Sequence, residues 1–106
     1  MFGAVILALA QGAASPLVYL DCTVNQGGQQ VEWKITLNEA EGVVDYDTVI
    51  SGPQRRPARF TADAVHFVGF TLSRTDLSIR REVSILGKVE LHSGICRLAE
   101  AKARAF

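Results

Sequence analysis

The sequence predicts an all-β fold, a single small antiparallel barrel or sandwich of about eight short strands. Three observations carry this expectation. Short runs of alternating apolar and polar residues recur along the chain, and Val31-Glu32-Trp33-Lys34-Ile35-Thr36-Leu37 is the cleanest of them. Turn signals rich in Gly, Asn and Asp separate these runs at fairly regular spacing. No helix-period segment competes with them before residue 97. At 106 residues the chain has length for one core and not two.

The chain opens with Val5-Ile6-Leu7-Ala8-Leu9-Ala10, a short uncharged apolar run closed by small residues. Ala8-Leu9-Ala10 fits the small-x-small cleavage pattern, which marks residues 1–10 as a secretory signal peptide. A later cut near Ala13-Ala14, as far as residue 14, fits the pattern too. No Lys or Arg precedes the run, so its basic n-region rests on the α-amino group alone. A helix needs about 20 apolar residues to cross a bilayer, so this run is too short to span one. The expected organisation is therefore a leader, a β domain over residues 11–96 and a tail over 97–106, exported to the periplasm or the medium.

In Val18–Val24, Leu20, Cys22 and Val24 alternate with Tyr19, Asp21 and Thr23, which turns Cys22 toward the core. The other cysteine, Cys96, ends the strand-like run Val89–Cys96. Two cysteines allow one intramolecular pairing. A Cys22–Cys96 bridge would enclose most of the mature chain and add roughly 4–5 kcal/mol by loop entropy. The alternative is a pair of buried free thiols, and export favours the bridge.

Asn25-Gln26-Gly27-Gly28 is a turn signal, and Val31, Trp33, Ile35 and Leu37 then share one face. Trp33, in register with three aliphatics, is expected as a core anchor. Asn38–Gly42 reads as a hairpin loop, with Val43–Val49 as the return strand. Ser51–Pro57 differs. Its two prolines argue against a central strand and its adjacent arginines are solvated, so it is expected as a loop. Gly52, Pro53, Arg55, Arg56 and Pro57 form the candidate contact loop: stiff, cationic and suited to an acidic protein or other acidic surface.

Ala58–Thr61 and Ala64–Val68 read as short strands around Asp63. Phe70–Ser73 and Leu77–Arg80 flank the turn Arg74-Thr75-Asp76, with Phe70, Leu72, Leu77 and Ile79 on the buried face. Val83–Leu86 and Val89–Cys96 meet at Gly87-Lys88. The tail 97–106 is alanine-rich and charged, a candidate short helix that would be marginal by itself.

Charge is balanced overall but not along the chain. Residues 1–50 carry Lys34 against six acids, while residues 51–106 carry every other Lys and Arg. Pairing of opposite charges across neighbouring strands accounts for this, and Asp45 and Asp47 are expected as partners of Lys34. Phe60, Phe67 and Phe70 fall on inward positions, against the exposed aromatics of a nucleic-acid platform. His66 lies on the outer face of its strand, and His92 and Ser93 point to opposite faces. The chain has no HExxH, CxxC or GxSxG spacing and no phosphate-cradling glycine loop. No catalytic residue, metal ligand or cofactor is expected.

Tyr19 shortly before Cys22, the run Phe70-x-Leu72-Ser73-Arg74-x-Asp76 and the closing Gly94-x-Cys96 resemble a family of small exported bacterial β-domains, itself uncharacterised. The likeness covers most of the mature chain and implies a disulfide-stapled β-domain. The general layout is also similar to that of the periplasmic C-type lysozyme inhibitors, which block the enzyme cleft with a loop. Here Ser51-Gly52 lacks the Lys and Tyr that follow in those inhibitors. The reading is a non-catalytic exported domain that acts by surface contact. An inhibitor of a cell-wall hydrolase and a lipocalin-like carrier are the alternatives, and the carrier would need a hollow interior.

Overall fold

The computed structural model describes residues 16–100, so the leader expected at 1–10 lies outside the described residues. Nine strands follow one another: β1 (Val18–Gln26), β2 (Gln29–Asn38), β3 (Val43–Thr48), β4 (Gly52–Pro57), β5 (Arg59–Phe60), β6 (Ala64–Phe67), β7 (Phe70–Ser73), β8 (Ser78–Ile85) and β9 (Lys88–Ala99). They form one antiparallel sheet in the order β4-β3-β2-β1-β9-β8-β7-β6-β5, a barrel and not a two-sheet sandwich. Among the described residues there is no helix.

Strands next to each other in sequence pair, except β4 and β5, and the first pairs with the last. The two ends of the sheet, β4 and β5, are successive pieces of one strand kinked at Ala58. Its first piece pairs with β3 and its second with β6, so the barrel nearly closes through a change of partner. The result is about eight strands, as the turn spacing predicts.

Gly52–Pro57, expected as a loop, is strand β4, pairing from Thr48↔Gly52 to Val43↔Pro57. An edge strand needs hydrogen bonds along one side. Pro53 and Pro57 are four apart, so their missing N–H groups fall on the same side, which an edge leaves unpaired. The tail corrects likewise. Arg97–Ala99 continues β9 against β1, with Arg97 opposite Asp21 and 3.8 Å from its carboxylate. Pairing overrides helix propensity there, and residues 101–106 lie outside the described residues. The last hairpin turns at Leu86-Gly87, one residue before the expected Gly87-Lys88. Lys34 bonds Asp21 on β1 at 3.1 Å, leaving Asp45 to Arg55.

Inward residues of every long strand meet in one core: Leu20, Cys22 and Val24; Val31, Trp33, Ile35 and Leu37; Val44 and Tyr46; Val65, Phe67, Phe70, Leu72 and Ile79; and Cys96 of β9. Trp33 packs at a tilt against Tyr46 (4.9 Å between centroids) and meets Phe70 edge-on (5.1 Å), joining opposite walls. With Phe67 these aromatic rings fill the middle and upper part of the interior. Cys22 and Cys96 lie directly opposite in the β1–β9 register and are bridged, with Cα atoms 3.9 Å apart. Two residues away, Gly94 lets these strands approach: a Cβ there would overlap the backbone of Thr23 and Val24.

Candidate functional site

The residues expected to form a contact loop all lie on β4: Pro53, Arg55 and Pro57 face outward, whereas Gly52 and Arg56 fall on the face of the inward residues Thr48 and Val44. Arg55 is held by Asp45 through two bonds, Nε to Oδ1 (2.7 Å) and Nη2 to Oδ2 (3.0 Å). These hydrogen bonds, with the charge of Asp45 behind them, raise the Arg55 pKa. Arg56 is exposed and donates from Nη1 to the Arg55 carbonyl (2.9 Å). Gly52 starts the strand at a positive φ of 71° and Pro57 ends it. One of the two cations is thus already neutralised within the protein.

The end of the barrel that bears the β1–β2, β3–β4, β6–β7 and β8–β9 turns, called upper below, has a different character. Three of these turns are two-residue connections with positive φ at both positions: Gly27-Gly28, Val68-Gly69 and Leu86-Gly87. That geometry is the I′ hairpin turn, which favours Asn, Asp or Gly at its first position. Val68 (φ 50°) and Leu86 (φ 52°) adopt it with bulky side chains, an unfavourable backbone state for either. Leu86 is 99% exposed. Beyond Asn25↔Ser93, the last β1–β9 pair, β8 and β9 run on as a two-stranded ribbon from Arg81↔His92 to Ile85↔Lys88. Ile85, Leu86, Val89 and Leu91 on this ribbon are exposed, as are Val49 and Ile50 at the β3–β4 turn.

Where the ribbon leaves the barrel, three polar side chains of β8 and β9 interlock. Arg81 Nε donates to His92 Nδ1 (3.1 Å), and His92 Nε2 lies 2.7 Å from Glu90 Oε1. A guanidinium can only donate, so Nδ1 accepts and the imidazole is neutral, with its proton on Nε2 shared with Glu90. Arg81 also donates from Nη1 to the Val68 carbonyl (3.2 Å) and lies 4.2 Å over the Phe70 ring. Burial lowers its pKa, against a smaller opposing effect of Tyr46. Arg81 makes no ion pair among the described residues. It lines a cleft of about 190 Å³ with Gln26, Trp33, Tyr46 and the turn residues Thr48, Ile50 and Ser51.

At the lower end a cavity of about 310 Å³ opens among Val18, Leu20, Leu37, Phe60, Leu72 and Leu98. The Arg74–Glu39 ion pair (3.1 Å) stands on its rim. His66 is half-buried on the outside of β6, 3.4 Å from the Thr71 hydroxyl. Among the described residues no three His, Cys, Asp or Glu converge as a metal site would require.

No family model, curated protein or solved structure matches this chain. The structure alone therefore directs attention to the upper end. Sequence reading placed His92 and Ser93 on opposite faces but missed the Arg81–His92–Glu90 chain. The signal was the shared parity of Glu90 and His92, which is informative only once the β8–β9 register sets Arg81 opposite His92.

Proposed function

We propose that this is an exported, non-catalytic contact domain that engages a protein partner through the apolar turns of its upper end. One observation carries the reading: the projecting β8–β9 ribbon ends in Leu86, fully exposed and in a backbone state suited to Asn or Gly. An isolated two-stranded ribbon is marginal in water, and its exposed Ile85, Val89 and Leu91 add nothing to its own core. Side chains kept at a conformational cost and left in solvent are accounted for by burial in a complex. A disulfide inside the core supports an oxidising compartment, the periplasm or the medium. Arg55 is already engaged by Asp45, so the cations of β4 flank this surface and do not centre it.

The test uses Leu86→Asn combined with Leu91→Thr. Asparagine suits the turn, so the fold should be at least as stable, by roughly 0.5 kcal/mol for relief of the backbone. Oxidised parent and variant are immobilised and exposed to periplasmic extract and to purified cell-wall hydrolases. A protein retained by the parent and released by the variant supports the reading; a hydrolase among them makes the domain an inhibitor. Retention that survives these changes but is lost with Arg55→Ala and Arg56→Ala moves the contact to β4 and overturns it.

A second reading rests on the lower cavity. Its volume and aliphatic lining suit a short apolar ligand, as a carrier would hold.

A further inference from the structure

The hydrogen bonds around the upper cleft leave a pattern that the contact reading does not use. Thr48 Oγ1 accepts from the Ile50 and Ser51 amides (3.2 and 2.9 Å). Ser51 Oγ donates to the Gly52 carbonyl (3.1 Å), so Thr48 donates its own proton to Ser51 Oγ (2.9 Å). Both hydroxyl protons are therefore consumed inside the turn. Gln26 Oε1 accepts from the Trp33 indole (2.8 Å), which directs the amide and leaves the two N–H groups of Nε2 with no acceptor among the described residues. Arg81 spends Nε on His92 and Nη1 on Val68, and Nη2 likewise finds no acceptor among the described residues.

The cleft thus offers donors from two directions, and among the described residues no carboxylate lines it. Glu90, the nearest acid along this chain of contacts, is separated from Arg81 by the neutral His92 ring. A half-buried guanidinium without a counter-ion is costly, and an anion bound beside it recovers that cost. Trp33, Tyr46 and Ile50 supply an apolar wall next to the donors. The volume equals about six waters, room for a carboxylate and a few carbons.

We propose that this cleft binds a carboxylate, held by Arg81 Nη2 and Gln26 Nε2, with the short apolar body of the ligand against Trp33 and Ile50. The carboxylate belongs either to a small free acid or to the C-terminus of a peptide. The proposal is independent of the contact reading: Leu86→Asn lies out on the ribbon and should leave the cleft unaffected.

Trp33 is the sole tryptophan and lines the cleft, so its fluorescence reports occupancy. Butyrate and N-acetyl-dialanine are titrated beside butyramide and N-acetyl-dialanine amide. The acids should give a saturable change that the amides do not. Saturation by butyrate alone identifies a small free acid, and saturation by the peptide acid alone identifies a C-terminus. Arg81→Gln should weaken binding about tenfold or more, as for loss of a charge-assisted pair. Because Arg81 also packs on Phe70, Gln26→Glu provides a second variant. It keeps an acceptor for the Trp33 indole, sets a fixed carboxylate opposite Arg81, and should abolish acid binding with the fold intact by near-ultraviolet circular dichroism. Equal responses to acids and amides, no saturable response to either acid, or undiminished butyrate binding by Gln26→Glu would overturn the proposal.

Discussion

Between β1 and β9 the barrel closes through an unbroken register from Tyr19 to Asn25, with a disulfide in the middle and Gly94 drawing the backbones together. Between β4 and β6 it closes through a kinked strand, whose lower piece gives β6 only the pairs Arg59↔His66 and Phe60↔Val65. The upper piece, β4, forms no pairs with β6 or β7, and the cleft of Arg81 opens at the same end of the barrel. A barrel has no free edge when every strand is paired on both sides. This one secures one closure covalently and leaves part of the other open. The candidate binding groups lie at neither closure proper. Gln26 on β1 and Arg81 on β8 stand at the upper end just beyond the last β1–β9 pair, facing the β3–β4 and β6–β7 turns that border the open seam.

Breaking the strong closure should have the largest effect. Cys22→Ser or reduction releases a cross-link spanning 74 residues, for which loop entropy predicts a loss of roughly 4–5 kcal/mol. Urea unfolding with and without reductant measures it. A loss below about 1 kcal/mol would mean that strand pairing alone secures β1 and β9.

The next effect sets a glycine of each closure against the other. At Gly94 an added methyl group meets the backbone of Thr23 and Val24, which cannot move aside without separating the strands. Gly94→Ala should cost about 3 kcal/mol or more, at the upper end for overpacking. At Gly52, which starts β4, the same methyl group meets open space but the backbone has φ 71°. Gly52→Ala should cost about 1 kcal/mol, from backbone strain alone. Equal losses would show that crowding at the β1–β9 closure contributes nothing.

The two closures were also unequally legible in the sequence. Alternation set Leu20, Cys22 and Val24 inward, and with two cysteines in the chain the β1–β9 bridge followed from residue pattern and number. Trp33 was legible for the same reason, a period of two in a long strand, and it is buried as expected. The β4–β5 closure was not. Pro53, Pro57 and the paired arginines carry loop signals, and only the position of the strand at an edge makes them compatible with pairing. The Arg97–Ala99 extension was hidden likewise, since local propensity favoured helix while its partners, Asp21, Leu20 and Tyr19, lie at the far end of the domain sequence. Cleft residues Gln26 and Arg81 come from β1 and β8, and no sequence spacing brings them together.

The smallest effect concerns what holds the weak closure shut at its lower end. Arg74, in the β7–β8 turn, donates from Nη1 to the Thr61 carbonyl (2.8 Å) and from Nη2 to Glu39 (3.1 Å). Thr61 follows β5 and Glu39 follows β2, so one side chain ties turns from both sides of the seam. Alongside it the Ala58 amide donates to the Gly42 carbonyl (2.9 Å) at the kink itself. The ion pair is largely exposed and contributes little, while the bond to the Thr61 carbonyl adds a typical neutral-acceptor increment. Arg74→Ala should therefore lower global stability by only about 1 kcal/mol. Its effect should be local: amide exchange at Ala58, Thr61 and Ala64 should quicken, with the β1–β9 amides near Cys22 and Cys96 unchanged. High salt should reproduce part of the change, because it screens the Glu39 contact and not the carbonyl bond. Uniformly faster exchange in both regions would show that the two closures open together, and the comparison between them would fail.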